Sequence, residues 1–228
     1  MSESNTRAAM PASTVVVVRA GATGLETLML RRSSRGAFGG MWVFPGGKVD
    51  PQDFAGLAPG EELGAARRAA VREAHEEAGI ALEPDSLRYF SHWTPPAIAP
   101  VRFPTWFFIA PAPHGQVEID GNEIHDHAWL HPQDAIRRRD AGEIEMAPPT
   151  WVTLHRLAVF TAPEAAITAL AAGTPRVYIT RIAELDGARV SLWEGDAGYD
   201  DGDVSRPGPR HRLSLLPGGW HYEDTVNS

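Results

Sequence analysis

Between Ala70 and Ile80 the chain reads AVREAHEEAGI, and within it Glu73, Glu76 and Glu77 crowd behind Arg72. At about 100° of rotation per helical residue, these three carboxylates share one face. Acids at i, i+3 and i+4 repel by roughly a few tenths of a kcal/mol per pair, so the spacing is unfavourable for the helix alone. Arg72, four residues before Glu76, offsets part of that repulsion and cannot neutralise three carboxylates. A divalent cation can. Hard oxygen donors grouped in this way suit Mg²⁺ or Mn²⁺, which keep some of their waters and bind substrate phosphates. A solvated acidic helix face is the alternative reading of the same residues.

The elements that must carry these groups are legible around them. Helix signals run from Glu61 to Ala78: Gly60 stands at the start, acids fill the first turn, and Gly79 can take the left-handed position after the end. Ala66, Ala70, Ala74 and Ala78 form a stripe of small residues that lets the helix approach a sheet closely. Ahead of the helix, MWVFPGGKVD is a short apolar run from Met41 to Phe44 that breaks at Pro45-Gly46-Gly47. A strand therefore leads into a glycine loop and then into an acidic helix.

Taken together, Gly47, Arg72, Glu73, Glu76, Glu77, Gly79 and Ile80 resemble the Nudix box, G-x(5)-E-x(7)-R-E-U-x-E-E-x-G-U with U aliphatic. The resemblance implies an α/β protein, a Nudix-type α/β/α sandwich here followed by a C-terminal extension. It implies hydrolysis of a nucleoside diphosphate linked to another group, X, with Mg²⁺ or Mn²⁺ as cofactor. Carried over residue by residue, Glu76 and Glu77 would be metal ligands, Glu73 a ligand or the base for water, and Arg72 an orienting ion-pair partner. Gly47 would offer its carbonyl to the metal.

This box carries an insert. The pattern's first glutamate falls on Asp53 when counted forward from Gly47 and on Gly64 when counted back from Arg72. PQDFAGLAPG, Pro51 to Gly60, reads as the inserted loop. Together with FPGGKVDPQD, it resembles the Nudix branch that includes peroxisomal coenzyme A diphosphatases, which implies coenzyme A or acyl-coenzyme A as substrate. RFPTWFF is similar to the RFDTxFF stretch of that branch, with Pro104 where an aspartate is common.

The family also implies a downstream acid, for which VEIDGNEIHDHAWL offers Glu118, Asp120 and Glu123. Glu123 is the choice, because the family commonly places an acid shortly before the strand that holds Trp129. His125 and His127 are read as exposed strand residues, since a phosphate-linked Mg²⁺ prefers oxygen. For the substrate, Arg31, Arg32 and Arg35 of RRSSR could meet phosphates through their guanidinium forks, or lie in a solvated loop. Trp93 and Trp106 could stack on a base or belong to the core.

Composition bounds these readings. The chain has 228 residues, is 43% hydrophobic and carries a formal charge of −8, which disfavours unspecific binding to nucleic acid. The expected partner is a small nucleotide-type substrate, with no nucleic acid, no membrane and room for a homodimer. The absence of cysteine leaves no disulfide or thiolate site and points to a cytoplasmic protein. MSESNTRAAMPAS does not read as a secretory signal, and no apolar run is long enough for a membrane span.

The expected organisation is a flexible terminus at 1–12, a hydrolase domain at 13–173 with its insert at 51–60, and a strand-rich extension at 174–228 packed on the same domain. Strands are predicted at Ser13–Val18 and Glu26–Arg32 as a hairpin, Met41–Phe44, Ser86–Trp93, Arg102–Ala110 and His125–Leu130. Helices follow at Pro132–Ala141, at Pro149 to about Val159, and at Pro163–Ala172, the last with Thr161 and Glu164 as a capping box. RVYITRIAEL and RVSLWEG read as strands of the tail. A competing class is a Nudix-like module that binds a nucleotide or metabolite as a regulator without hydrolysing it. Such modules tend to lose the glutamates that this chain retains.

Overall fold

The computed structural model describes residues 9–34 and 38–226. The chain divides into two compact units: one spans Ala12–Ser91 and Trp106–Arg176, the other His92–Thr105 with the described residues among 1–11 and 177–228.

In the first unit, β1 (Ala12–Gly21) and β2 (Gly24–Arg32) form the expected hairpin, closed by Gly21 opposite Gly24. Outward from β2 lies β3 (Trp42–Val43), and β4 (Gly46–Lys48) pairs with the start of β1. The sheet continues on the other side of β1 through β6 (Thr105–Pro111) to β5 (Arg88–Thr94), while β7 (Ile124–Leu130) pairs with β2. The fold is α/β, with additional C-terminal strands.

β1 is a run of four valines because both of its faces are covered: Val15 and Val17 join the cluster under α1 (Glu62–Ala78), and Val16 and Val18 are equally buried. The alanine stripe does what its spacing predicts. Ala66, Ala70, Ala74 and Ala78 are fully buried against Val15, Val17, Leu28, Leu30 and Phe108. A larger side chain in that stripe would overpack the contact at a cost of about 1–3 kcal/mol. Of the later helices, α2 (Pro132–Asp140) packs against β2 and α3 (Pro148–Leu157), and α4 (Pro163–Ala171) against β1.

Several boundaries differ from expectation for local reasons. The strand expected from Arg102 begins at Thr105, just past Pro104, and a short 3₁₀ turn at Pro84–Ser86 delays β5 to Arg88. α4 starts from Ala162 in an extended conformation with no side-chain cap, so the expected Thr161–Glu164 capping box does not form. α1 does end as predicted, on Gly79 in the left-handed conformation.

In the second unit, β8 (Arg176–Ile179) and β9 (Arg181–Leu185) replace the single strand expected over 176–185. The break falls at Thr180, whose N–H donates to the Thr94 carbonyl. β9, β10 (Ala188–Leu192), β11 (His211–Leu216) and β12 (Gly219–Asp224) form an antiparallel meander, the last two of them unforeseen. Trp93 stacks on Tyr178 with ring centroids 3.7 Å apart, and Trp193 meets both edge-on. The turn-rich segment between β10 and β11 is tied down by Asp196, which accepts from Arg212 Nε at 2.7 Å and from the amides of His211 and Gly198. Among the described residues, no helix is long and apolar enough to cross a membrane.

Candidate active site

The glycine loop after β3 is sewn to β1. Gly46 lies opposite Thr14, and the Thr14 hydroxyl donates to the Pro45 carbonyl at 2.7 Å. Gly46 has φ 156°, and a methyl group on it would sit 2.3 Å from the Ser13 carbonyl oxygen, so no side chain fits. This conformation aims the Gly46 amide at Glu77, whose Oε2 accepts at 2.9 Å. At Gly47 the demand is proximity: a methyl group there would lie 2.4 Å from the carboxylate carbon of Glu73. The two glycines thus seat two of the three helix glutamates.

Those glutamates do not share one environment. The side chain of Glu76 is 56% exposed, that of Glu73 16% and that of Glu77 only 5%. A uniformly solvated acidic face is therefore overturned for Glu77. Burial is the main cause that raises its pKa to about 8, against the Gly46 amide and Arg32, which favour the charged form. Burial likewise raises Glu73, opposed by its bond to Arg72. Both carboxylates stand in the last turns of α1, where the helix dipole is negative and disfavours acids.

Arg72 is the fixed counter-charge. It donates to Glu73 at 2.8 Å, to Glu76 at 3.1 Å, to the Lys48 carbonyl at 2.9 Å and to both oxygens of Asp53. Burial works against its charge, but the bonds to Asp53 and Glu73 outweigh it and raise its pKa. Asp53, buried in the inserted loop, thus holds the arginine of the box. The insertion hid this role in the sequence, where two counts of the register disagreed. Arg68 also donates to the Asp53 carbonyl, and Leu57 lies against Gly64, so the loop is pinned along α1 while Phe54 is exposed.

Arg32 joins a second pair of acids. Its Nη1 donates to Glu77 at 3.0 Å and its Nη2 to Glu123 at 2.9 Å. The pairing of β2 with β7 shifts register between Arg31 and Arg32, passing from Asp126 to Ile124, and this bulge brings Glu123 beside Arg32. The loop is shaped by Asp120, which accepts from the amides of Glu123 and Ile124, and it docks on the end of α1 through Glu118 N–H and the Ala78 carbonyl.

Other expected residues lie elsewhere. Arg31 is exposed and lines a separate cleft of about 310 Å³ with Trp42, Asp126 and Arg138, so the two neighbouring arginines serve different surfaces. Arg35 lies outside the described residues. Trp106 is half-buried and packs against the core under α1. Trp93 is buried in the second unit's aromatic stack. His125 is exposed and His127 half-buried.

Glu73, Glu76, Glu77 and Glu123, the glutamates bonded to Arg72 and Arg32, offer only oxygen, which fits Mg²⁺ or Mn²⁺ in chemistry. Burial is the main cause of the raised pKa values of Glu73 and Glu77, and the neighbouring carboxylates add to it. Among the described residues, however, no three acids or histidines are grouped closely enough to hold an ion as they stand. Each of these four carboxylates is bonded to Arg72 or Arg32.

The family model for the NUDIX domain matches residues 10–150. Among solved structures, a Nudix hydrolase from Alicyclobacillus acidocaldarius is similar at 26% identity, covering 73% of this chain and 99% of that one with a TM-score of 0.65. The Nudix domain of Shewanella oneidensis NrtR, solved with ADP ribose, is 15% identical over 68% of this chain and 90% of that one. Its TM-score of 0.50 marks a likeness of fold. A comparison with curated proteins returned no match.

Proposed function

The chain belongs to the Nudix family of pyrophosphohydrolases, and from that premise we propose that it performs a metal-dependent cleavage of a nucleoside diphosphate linked to a group X. The observation that carries this reading is the gathering of Glu73, Glu77 and Glu123, from a helix and a distant loop, around two arginines.

In the reaction, water adds across a P–O–P bridge: its oxygen bonds to phosphorus, the bridging P–O bond breaks, and two phosphate products separate. When bound, Mg²⁺ or Mn²⁺ would supply an acidified water and positive charge at the phosphate oxygens. Glu73, Glu76, Glu77 and Glu123 would hold it, with the Gly47 carbonyl as a further donor. Glu73 is the proposed acceptor of the water's proton, supported by its partial burial and raised pKa. Arg72 keeps Glu73 and Glu76 oriented.

For X we propose coenzyme A or an acyl-coenzyme A, on the resemblance of the insert and on the exposed Phe54 within it. Incubation with Mg²⁺ and a panel of ADP-ribose, NADH, ADP-glucose, diadenosine polyphosphates and acyl-coenzyme A, with products separated by mass, tests both levels. Cleavage of acyl-coenzyme A to two phosphate products is expected. Cleavage of another member alone would remove the coenzyme A assignment. Tight binding without turnover of any member would favour the regulator.

A further inference from the structure

The two arginines at the carboxylates are bonded very differently. Arg72 engages Nε, Nη1 and Nη2 and reaches three elements of the chain. Arg32 spends only its two terminal nitrogens on acids, one on buried Glu77 and one on Glu123, whose side chain is 67% exposed. Its Nε is buried without a hydrogen-bond partner among the described residues. A buried donor without a partner loses its water and gains nothing in return, so Arg32 sits in a place that does not fully satisfy it. It is the counter-charge that can leave.

We propose that Arg32 is an internal counter-cation that competes with the divalent ion for Glu77 and Glu123, and so sets the affinity at which the site loads. This rests on the metal-dependent hydrolysis proposed above. The guanidinium bridges the helix and the loop before β7, the same two elements an ion would have to join. The bulge at the end of β2 aims Arg32 between them and sends Arg31 to a different surface. Loading displaces Arg32 from at least one carboxylate, and the freed guanidinium becomes available to a substrate phosphate. Arg32 is thereby a displaceable counter-charge, distinct from Arg72, which stays bonded throughout.

The opposite role, a clamp that pre-arranges the carboxylates for metal, makes the opposite forecast. Removing a clamp weakens metal binding. Removing a competitor strengthens it. Calorimetric titration of Mn²⁺ into the wild type and Arg32→Met is expected to show binding roughly tenfold tighter in the variant, because one positive charge a few ångströms away is gone. Equal or weaker binding by Arg32→Met would overturn the proposal.

A second measurement is read on the wild-type protein, with a conservative variant used only for assignment. In ¹H–¹⁵N spectra of the wild-type protein, the Arg32 Nε–H signal, assigned through Arg32→Lys, should move on saturation with Mg²⁺ while that of Arg72 stays. An Arg32 signal that holds still while the Glu73 and Glu77 amides shift would also overturn it. If the wild type binds neither ion and cleaves nothing in the panel, the metal-dependent reading itself falls, an outcome distinct from either of these.

Discussion

Arg72 and Asp53, 19 residues apart, meet through a fork in which Nε lies 3.3 Å from Oδ1 and Nη2 3.0 Å from Oδ2. The inserted loop is thereby fastened to the residue that holds Glu73 and Glu76. Breaking a buried ion pair costs roughly 3–5 kcal/mol, and less where the surviving charge keeps other partners, as Arg72 does. Asp53→Ala is expected to lose about 2 kcal/mol in urea unfolding and to lower turnover. Removing residues 55–60 while Asp53 stays should cost much less. Equal losses from the two changes would show that loop length matters and the fork does not.

The unequal burial of the helix acids separates their variants. Glu76→Gln and Glu77→Gln should each lower turnover by about a hundredfold or more at saturating Mg²⁺. Their melting behaviour should differ. Glu76 is largely solvated, so its Tm should stay within about 2 °C of the wild type, whereas Glu77→Gln removes a buried partner of Arg32 and should fall by several degrees. Calorimetry on both proteins checks the pair.

The adjacent glycines should fail in different ways. Gly46→Ala sets a methyl group against the Ser13 backbone at positive φ, so β4 must leave β1 and the protein should unfold earlier, by about 2 kcal/mol or more. Gly47→Ala meets only the end of the Glu73 side chain, which can swing away. That variant should stay near wild-type stability and lose most of its turnover. A Gly47→Ala enzyme with full activity would remove Glu73 from the chemistry.

In the second unit, Asp196 links stability to pH. Burial alone would raise its pKa, but bonds from Arg212 and from the amides of His211 and Gly198 outweigh it, and the folded-state value lies below the ordinary 3.8. A depressed carboxylate contributes stability that is present above the unfolded-state pKa and is lost as pH falls through the folded-state one. Trp93 and Trp193 fluoresce together with the other five of the chain's seven tryptophans, so the difference between wild type and Asp196→Asn isolates this unit's share. Acid titration should show their transition below about pH 4, and Asp196→Asn should be less stable at neutral pH with a flatter acid response. Identical acid transitions in the two proteins would refute the assignment.

Much of the framework was legible because it repeats with a helical or strand period: the alanine stripe, the glutamate face, the β1–β2 hairpin and the stop at Gly79. The site's second half was less so. Asp53 was obscured by an insertion that made the spacing ambiguous. Gly46 looks like any loop glycine until its amide is seen on Glu77. The parting of Arg31 from Arg32 depends on a bulge, a one-residue irregularity that leaves no compositional trace. β11 and β12 follow a long turn-rich stretch whose buried anchor, Asp196, reads as one more loop aspartate.

The chain passes between its two compact units at 11–12, 91–92, 105–106 and 176–177. The second unit is therefore spliced from separated stretches, and it could not be inherited, deleted or transplanted as a cassette. Its order of birth on the ribosome follows from the same layout. Trp93 emerges long before Tyr178 and Trp193, its ring partners, have been synthesised. Until the last quarter of the chain arrives, that indole stays without its native cover, and a chaperone that holds nascent apolar surface would find it there.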